Sequence, residues 1–340
     1  MAEPVAERVG EGLNRALAAL LAERPDLHLV GEDMADPYGG AFGVTRGLST
    51  GYPERVLSTP ISEQAIVGFA VGLALRGREA VVEVMFSDFA TLCFDQIVNL
   101  ASKAVTMYGE PVRMPLVVRC PTGGNRGYGP THSQSLQKHF VGVPNLAVHE
   151  LSPVHDAHAT LARILDSGAP AMYFEDKVLY GRRRFGAAAG DELFHCERIG
   201  GACDFAVLGV RGVDRADVVV IAPGGLTDRV LGGMRGAYLG DEIAVRAVVP
   251  SRLYPFDPAP LAALIAGAGR VVVVEDATAG GTWGAEVAHT IHQQMWDLLS
   301  QPVRLLHAPP STIPAAPHLE RAVLVQADDI RAVVTAVAGG

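Results

Sequence analysis

Short runs of apolar, mostly branched residues recur along this chain, most of them followed by a stretch of helix length. In the first half they are Leu27–Val30, Ala80–Met85, Pro115–Arg119, Leu146–His149 and Ala171–Glu175. In the second half they are Asp217–Ala222, Ile243–Val248, Arg270–Glu275 and Val303–Leu306. Between them, helices are expected at Asn14–Arg24, Ser62–Leu75, Ala90–Val105 and Val154–Asp166. They recur at Leu226–Leu239, Asp257–Ala266, Trp283–Leu299 and Ala327–Ala338. In the Ala90–Val105 segment, Phe94, Ile97, Val98 and Ala101 fall on one apolar face. Strands alternating with helices imply an α/β fold, with parallel sheets covered by helices on both faces. The pattern lapses between the halves, where glycines and arginines replace the periodic positions. Two domains are therefore expected, at 1–185 and 205–340, joined by a linker at 186–204.

The 340 residues suffice for two domains of ordinary size. Hydrophobic residues make up 49% and charged residues 19%, enough apolar surface for a large core. The net charge of -9 argues against nucleic acid as a partner. The one basic cluster, Arg182-Arg183-Arg184, reads as a solvated turn. No apolar run reaches the roughly 20 residues that span a bilayer, so no membrane partner is expected. The first residues carry Glu3, Glu7 and Glu11 and do not read as a signal peptide. Cys93, Cys120, Cys196 and Cys203 are too scattered for a disulfide framework or a zinc site. A reducing, cytoplasmic setting is the expectation.

Thr59-Pro60-Ile61-Ser62-Glu63-Gln64 carries one carboxylate at the mouth of an otherwise almost wholly apolar helix. Glu63 is either a helix-start acid or a piece of catalytic machinery. As the former it follows a good N-cap, Ser62, and gains about 0.3–1 kcal/mol from the helix dipole. Gly68 and Gly72, four apart, allow close approach of another backbone. His132 lies just past the glycine-rich segment 121–130. Glycines let a loop approach a ligand, and histidine moves protons near neutral pH; a structural or solvated histidine is the other reading. Glu286, His289 and His292 lack the second Glu-x-x-His helix of a di-metal site, and His155 and His158 are a lone pair. Gly224-Gly225 lacks the G-x-G-x-x-G spacing of a dinucleotide site.

In order, these motifs resemble the beta subunits of thiamine-diphosphate-dependent 2-oxoacid dehydrogenases, which act on pyruvate, branched-chain oxoacids or acetoin. The resemblance runs from about Leu13 to the C-terminus. It rests on Gly31-Glu32-Asp33, GGAFGVTRGL at 39–48, TPISE at 59–63 and Met85-Phe86-Ser87-Asp88-Phe89. It continues through Asp95–Asn99, GYGPTHSQS at 127–135, Phe174–Gly181, GGTWGAE within 275–286, and His318-Leu319-Glu320. Thr131 and Val274 stand where many relatives have other residues, and the segment 200–215 has no close match.

The resemblance implies a pyrimidine-binding domain followed by a transketolase-like C-terminal domain. It implies that Glu63 bonds a ring nitrogen of the aminopyrimidine, favouring the tautomer that takes a proton from the thiazolium carbon. It implies that Phe89 stacks on the pyrimidine with Met85 packed nearby, and that Glu32 and Asp33 line the cofactor site. His132 would assist the decarboxylated intermediate and acyl transfer to a lipoyl group. In some relatives a potassium ion is held by carbonyls where this chain has Ile164, Ser167 and Ala169. The Gly-Asp-Gly and following Asn that hold magnesium and the diphosphate have no counterpart, since Gly190-Asp191-Glu192 and Gly240-Asp241-Glu242 do not fit. Hence an alpha subunit is expected to supply Mg2+ and the other half of the site, in an alpha2-beta2 heterotetramer. The expected reaction is decarboxylation of a small 2-oxo acid and acyl transfer to a lipoyl-bearing acyltransferase. The alternatives are carboligation to acyloins and a non-catalytic stabilising subunit.

Overall fold

The computed structural model describes residues 7–185 and 192–339. The first half forms β1 (Leu27–Glu32), β2 (Val56–Thr59), β3 (Glu79–Glu83), β4 (Leu116–Thr122), β5 (Ala147–Glu150) and β6 (Ala171–Asp176). The second half forms β7 (Phe194–Ile199), β8 (Phe205–Val210), β9 (Val218–Ile221), β10 (Val245–Pro250), β11 (Arg252–Tyr254), β12 (Val271–Thr278) and β13 (Arg304–Ala308). They make two sheets, ordered β11-β5-β6-β4-β3-β1-β2 and β13-β12-β9-β10-β8-β7. Strands β1 to β6 pair only in parallel with one another. In the second sheet β9, β10, β12 and β13 are parallel, and β8 and β7 add an antiparallel edge.

The apolar runs explain why the first sheet is covered twice. Side chains alternate between faces along a strand. Val81 and Val117 point into a core with Leu13, Leu17, Leu161 and Ile164, from the helices Val9–Glu23 and Ala157–Ser167. Their neighbours Val82 and Val118 point into the opposite core, against Val67 and Val71 of the Glu63–Leu75 helix. The α/β class and the helices on both faces are thus as the sequence implies.

Four strands escape the sequence pattern. β2 buries only Val56, and β11 is a three-residue strand from the second half that joins the first sheet beside β5. β7 lies inside the segment expected to be a linker. Residues 186–191 of that segment are outside the described residues, but Phe194–Ile199 pairs antiparallel with β8. Of β7 only Phe194 is buried, so its alternation is faint. β8 is an apolar run buried throughout, yet it is absent from the strands expected above. The expected helix at Ala90–Val105 is instead a 3-10 segment (Ser87–Cys93), a π segment (Gln96–Ala101) and a short α-helix (Ser102–Met107). Ile97 and Ala101 are buried as expected, whereas Phe94 is 38% exposed. The arginine turn is not merely solvated: Arg182 pairs with Asp228, and Arg184 with Glu7 and Asp156.

The two halves meet across a seam of buried acids. Gly225 N–H and Gln137 Nε2 donate to Glu150 at 2.8 and 2.7 Å. Arg229 pairs with Asp276 at 2.6 Å and reaches Asp176 at 3.8 Å. Burial raises the Glu150 carboxyl to about 8 and Asp176 to about 6, with neighbouring acids adding to both. Both groups hold protons in the folded chain that they release in the unfolded one. Their stabilisation is complete below about pH 4 and fades as pH rises, for Asp176 by about 6 and for Glu150 by about 8. His149 and His155, lowered by burial to about 3 and 4, are neutral throughout the upper part of that range. Between pH 6.5 and 8 the unfolding free energy is therefore expected to fall, by at most about 1.4 kcal/mol per pH unit from Glu150, and the melting temperature with it. Thermal scans should show a flatter profile for Glu150→Gln. An unchanged slope would remove Glu150 as the cause.

Candidate active site

In open parallel sheets, ligands bind beyond the carboxyl ends of the strands. The candidate residues gather there. Glu32 ends β1, Glu63 follows β2, Met85 to Phe89 follow β3, and His132 sits in the loop after β4. β1, β3 and β4 are adjacent, with β3 in the middle.

Glu63 is the first residue of its helix and is buried, at 7% exposure. Its carboxylate makes no side-chain hydrogen bond among the described residues. Ser62 occupies the N-cap in extended conformation (φ -168°), but its hydroxyl does not cap the helix. Glu32 is buried too, and its Oε2 has no hydrogen-bond partner among the described residues. Burial, with the charges of Glu63, Asp33 and Glu83 nearby, holds Glu32 above the usual carboxylate range. A buried acceptor without a partner is costly. These two carboxyls therefore present unused hydrogen-bonding capacity to whatever enters. Asp33 is exposed, in the left-handed region (φ 53°), and its carbonyl accepts from Gly40 N–H at 2.9 Å.

Phe86, Phe89 and His132 form an aromatic group. The His132 ring meets Phe86 edge-on at 4.9 Å and Phe89 at 5.1 Å. Thr131 Oγ1 and His132 Nδ1 are 2.9 Å apart, which leaves Nε2 as the working nitrogen. Met85 and Phe89 are half-buried.

Beneath the loop 38–48 lies an ion network inside the sheet. Arg119 on β4 binds Glu175 on β6 bidentately at 2.8 and 2.7 Å and also pairs with Glu83 on β3. Tyr180 donates to Glu175 at 2.6 Å. Glu83 accepts from Ala41 N–H at 2.5 Å and so ties the loop to the sheet. Gly40 makes this approach feasible: its φ is +70°, and a Cβ there would lie 2.7 Å from Glu83 Oε1. Across the site, Glu320 from the second half accepts from Asn125 and Gly127 N–H at 2.9 and 3.0 Å. It fixes the glycine-rich loop that carries His132. Lys177 is fully buried, and its Nζ, 5.3 Å from the Phe86 ring centre, has no hydrogen-bond partner among the described residues; burial lowers it to about 8.

The other sequence candidates take structural places. His155 is buried between Ser152 and the Asp204 carbonyl, and His158 pairs with Glu23. His292 accepts from Val303 N–H at 3.0 Å. Gly224 and Gly225 are there for packing, since Cβ atoms would lie 2.2 Å from the Leu151 carbonyl and 2.6 Å from Asp176. At the turn with Ile164, Ser167 and Ala169, the Ile164 carbonyl accepts from Ser167 Oγ at 2.7 Å, and the Arg113 guanidinium lies against Gly168. Among the described residues no group of three or more His, Cys, Asp or Glu could hold a metal ion. Gly68 approaches only the Gln96 side chain, and no atom of this chain lies within 4 Å of a Cβ at Gly72, so the close backbone contact expected there is not made within the chain. The sequence reading passed over Phe42, Phe86, Tyr128 and Arg119. A charged residue in the buried run Pro115–Arg119 was the available signal for the last.

Residues 8–182 match the family model of the transketolase pyrimidine binding domain, and 210–330 that of the transketolase C-terminal domain. Pyruvate dehydrogenase E1 component subunit beta of Leifsonia xyli subsp. xyli is 31% identical, over 97% of this chain and 93% of that one. The 3-methyl-2-oxobutanoate dehydrogenase subunit beta of Mycobacterium tuberculosis is 33% identical, over 86% and 81%. Acetoin:2,6-dichlorophenolindophenol oxidoreductase subunit beta of Bacillus subtilis is 28% identical, over 97% of each. A solved split-gene transketolase, described as an inactive beta4 tetramer, shares the fold with a TM-score of 0.74 at 19% identity, covering 98% of each chain.

Proposed function

The chain belongs to the transketolase-like family of beta subunits of thiamine-diphosphate-dependent 2-oxoacid dehydrogenases, and from that premise we propose that it forms the pyrimidine half of a decarboxylating site completed by an alpha subunit. The observation that carries this reading is the buried Glu63 carboxylate, without a side-chain hydrogen bond among the described residues and beside the orphaned Glu32 Oε2. Such a pair fits a flat, polar heterocycle that both accepts and donates hydrogen bonds. Thiamine diphosphate, when bound, supplies the electron sink for loss of carbon dioxide from a 2-oxo acid.

This chain's residues do the rest. Glu63 holds a proton at the pyrimidine ring nitrogen, and the low-dielectric surroundings strengthen that hydrogen bond. Phe89 and Met85 set the plane of the ring, and Glu32 and Asp33 border it. His132, braced by Phe86, Phe89 and Thr131, presents Nε2 for proton transfer. Magnesium and the diphosphate are assigned to the partner, because hard cations want several oxygen ligands. Potassium at the 164–169 turn would share it with the Arg113 guanidinium, so it is given no catalytic part.

The partner is an alpha subunit in an alpha2-beta2 assembly, and the acyl acceptor is a lipoyl group. The exposed apolar residues of the Glu63–Leu75 helix and of the turn before it support such a contact: Ile61, Phe69 and Leu75 are 78%, 50% and 41% exposed, and Gly72 is open. A cytoplasmic setting is supported by four free cysteines. The domain boundary falls after Phe185, with β7 belonging to the second unit. The complex with its alpha subunit is expected to release carbon dioxide from a 2-oxo acid in the presence of an electron-accepting dye, whereas either chain alone is inactive. No activity in a purified, cofactor-loaded complex would refute the reading.

A further inference from the structure

A cavity of about 630 Å³ opens beside Met85, between the loop 37–46 and the strand end at Met85-Phe86. That is an ordinary size for a small-molecule pocket, typically about 300–1,000 Å³. Phe42, Phe86 and Tyr128 build its wall, with ring centres 6.0, 5.9 and 6.4 Å apart. Phe42 is held in place from below. It stands in the left-handed region (φ 58°), next to Ala41, whose N–H is bound by Glu83, and 5.3 Å from the Tyr180 ring. A non-glycine residue in that conformation persists only where its surroundings fix it.

The chemistry of the wall is one-sided. No acidic residue lines the cavity, and the one charged side chain that does is Arg46, which forms no ion pair among the described residues. A second guanidinium, Arg126, stacks over Phe42 and Tyr128 at 5.4 and 5.9 Å. In a chain of net charge -9 this is a local cationic rim around an aromatic hollow. It draws in an anion and then receives an apolar group.

We propose that this cavity is the side-chain subsite for the 2-oxo acid, and that it takes an aromatic or bulky branched apolar group in preference to a methyl group. The inference rests on the function proposed above, because it places the substrate next to Met85 and the pyrimidine. A methyl side chain would leave the three rings wetted. A second, distal carboxylate would meet the Arg46 and Arg126 guanidiniums where both are exposed to solvent, and would lose contact with the aromatic faces. A larger apolar side chain fills the space, and in such pockets each added methylene is worth about tenfold or more in specificity.

The test uses the alpha–beta complex, with 2,6-dichlorophenolindophenol as electron acceptor so that no lipoyl group is needed. The probes are phenylpyruvate, 4-methyl-2-oxopentanoate, pyruvate and 2-oxoglutarate. One of the first two is expected to exceed pyruvate in kcat/KM by at least about tenfold. Tyr128→Ala, at an exposed position, should erase most of that advantage by lowering kcat/KM for the large apolar acids far more than for pyruvate. Preference for pyruvate or 2-oxoglutarate, or an equal loss on all four acids, would overturn the proposal. So would weakened co-elution with the partner at unchanged specificity, because the cavity would then be a subunit contact. A wild-type complex inactive on every acid would instead count against the proposed function.

Discussion

Glu63→Gln is expected to lower decarboxylation by the alpha–beta complex by about 10²–10⁴-fold, the usual worth of a positioned acid–base group. The melting temperature should hardly move. The Glu63 carboxylate makes no side-chain hydrogen bond among the described residues, and Gln keeps its shape. The only fold-level loss is its interaction with the helix dipole, about 0.3–1 kcal/mol at most. A helix-start acid predicts the reverse pattern, a small loss of stability with full activity. Steady-state rates and thermal scans on the same preparation separate the two. Rates unchanged within error would end the catalytic assignment.

The second large effect concerns stability. Arg119→Met should cost about 3–5 kcal/mol, because it strands Glu83 and Glu175 as buried carboxylates without their shared cation. Burial already pushes Glu83 upward, opposed by Arg119 and by the Ala41 N–H. With the guanidinium gone, protonation of Glu83 is the cheapest relief, so the loss should be greater at pH 8 than at pH 5. Adding Glu83→Gln and Glu175→Gln to Arg119→Met should recover part of it, since neutral amides need no counter-charge. Urea titrations of the three proteins measure this. A cost below about 1 kcal/mol for Arg119→Met would mean that the network is not the buried, cation-dependent unit described here.

The parallel α/β plan was legible because Ala80–Met85 and Pro115–Arg119 carry apolar residues at successive positions, and such runs are buried on both faces. β2 and β7 were not legible, because each fully buries only its first side chain. Neither was β11, a three-residue strand whose partner β5 lies about a hundred residues earlier in sequence. The broken helix at 87–107 reads as continuous because its apolar spacing is sound. What alters it are buried polar side chains, Asp88 and Ser87, which bond across to Gln134 and Thr122. No local pattern announces that.

The candidate site divides in the same way. Glu63, Phe89 and His132 sit in short motifs whose order along the chain carries the resemblance. The parts that support them depend on partners far apart in sequence. Arg119 meets Glu83 and Glu175 at separations of 36 and 56 residues, and Glu320 reaches the loop at 125–127 from nearly two hundred residues away. Phe42 becomes a wall only because Gly40 lets its loop lie on Glu83.

The central claim is that this chain builds only the pyrimidine half of a cofactor site. Titration calorimetry with thiamine diphosphate and magnesium tests it most directly. The chain alone should show no saturable binding below about 1 mM, and the alpha–beta complex should bind with a saturating, magnesium-dependent heat. Tight, magnesium-dependent binding by the chain alone would contradict the account.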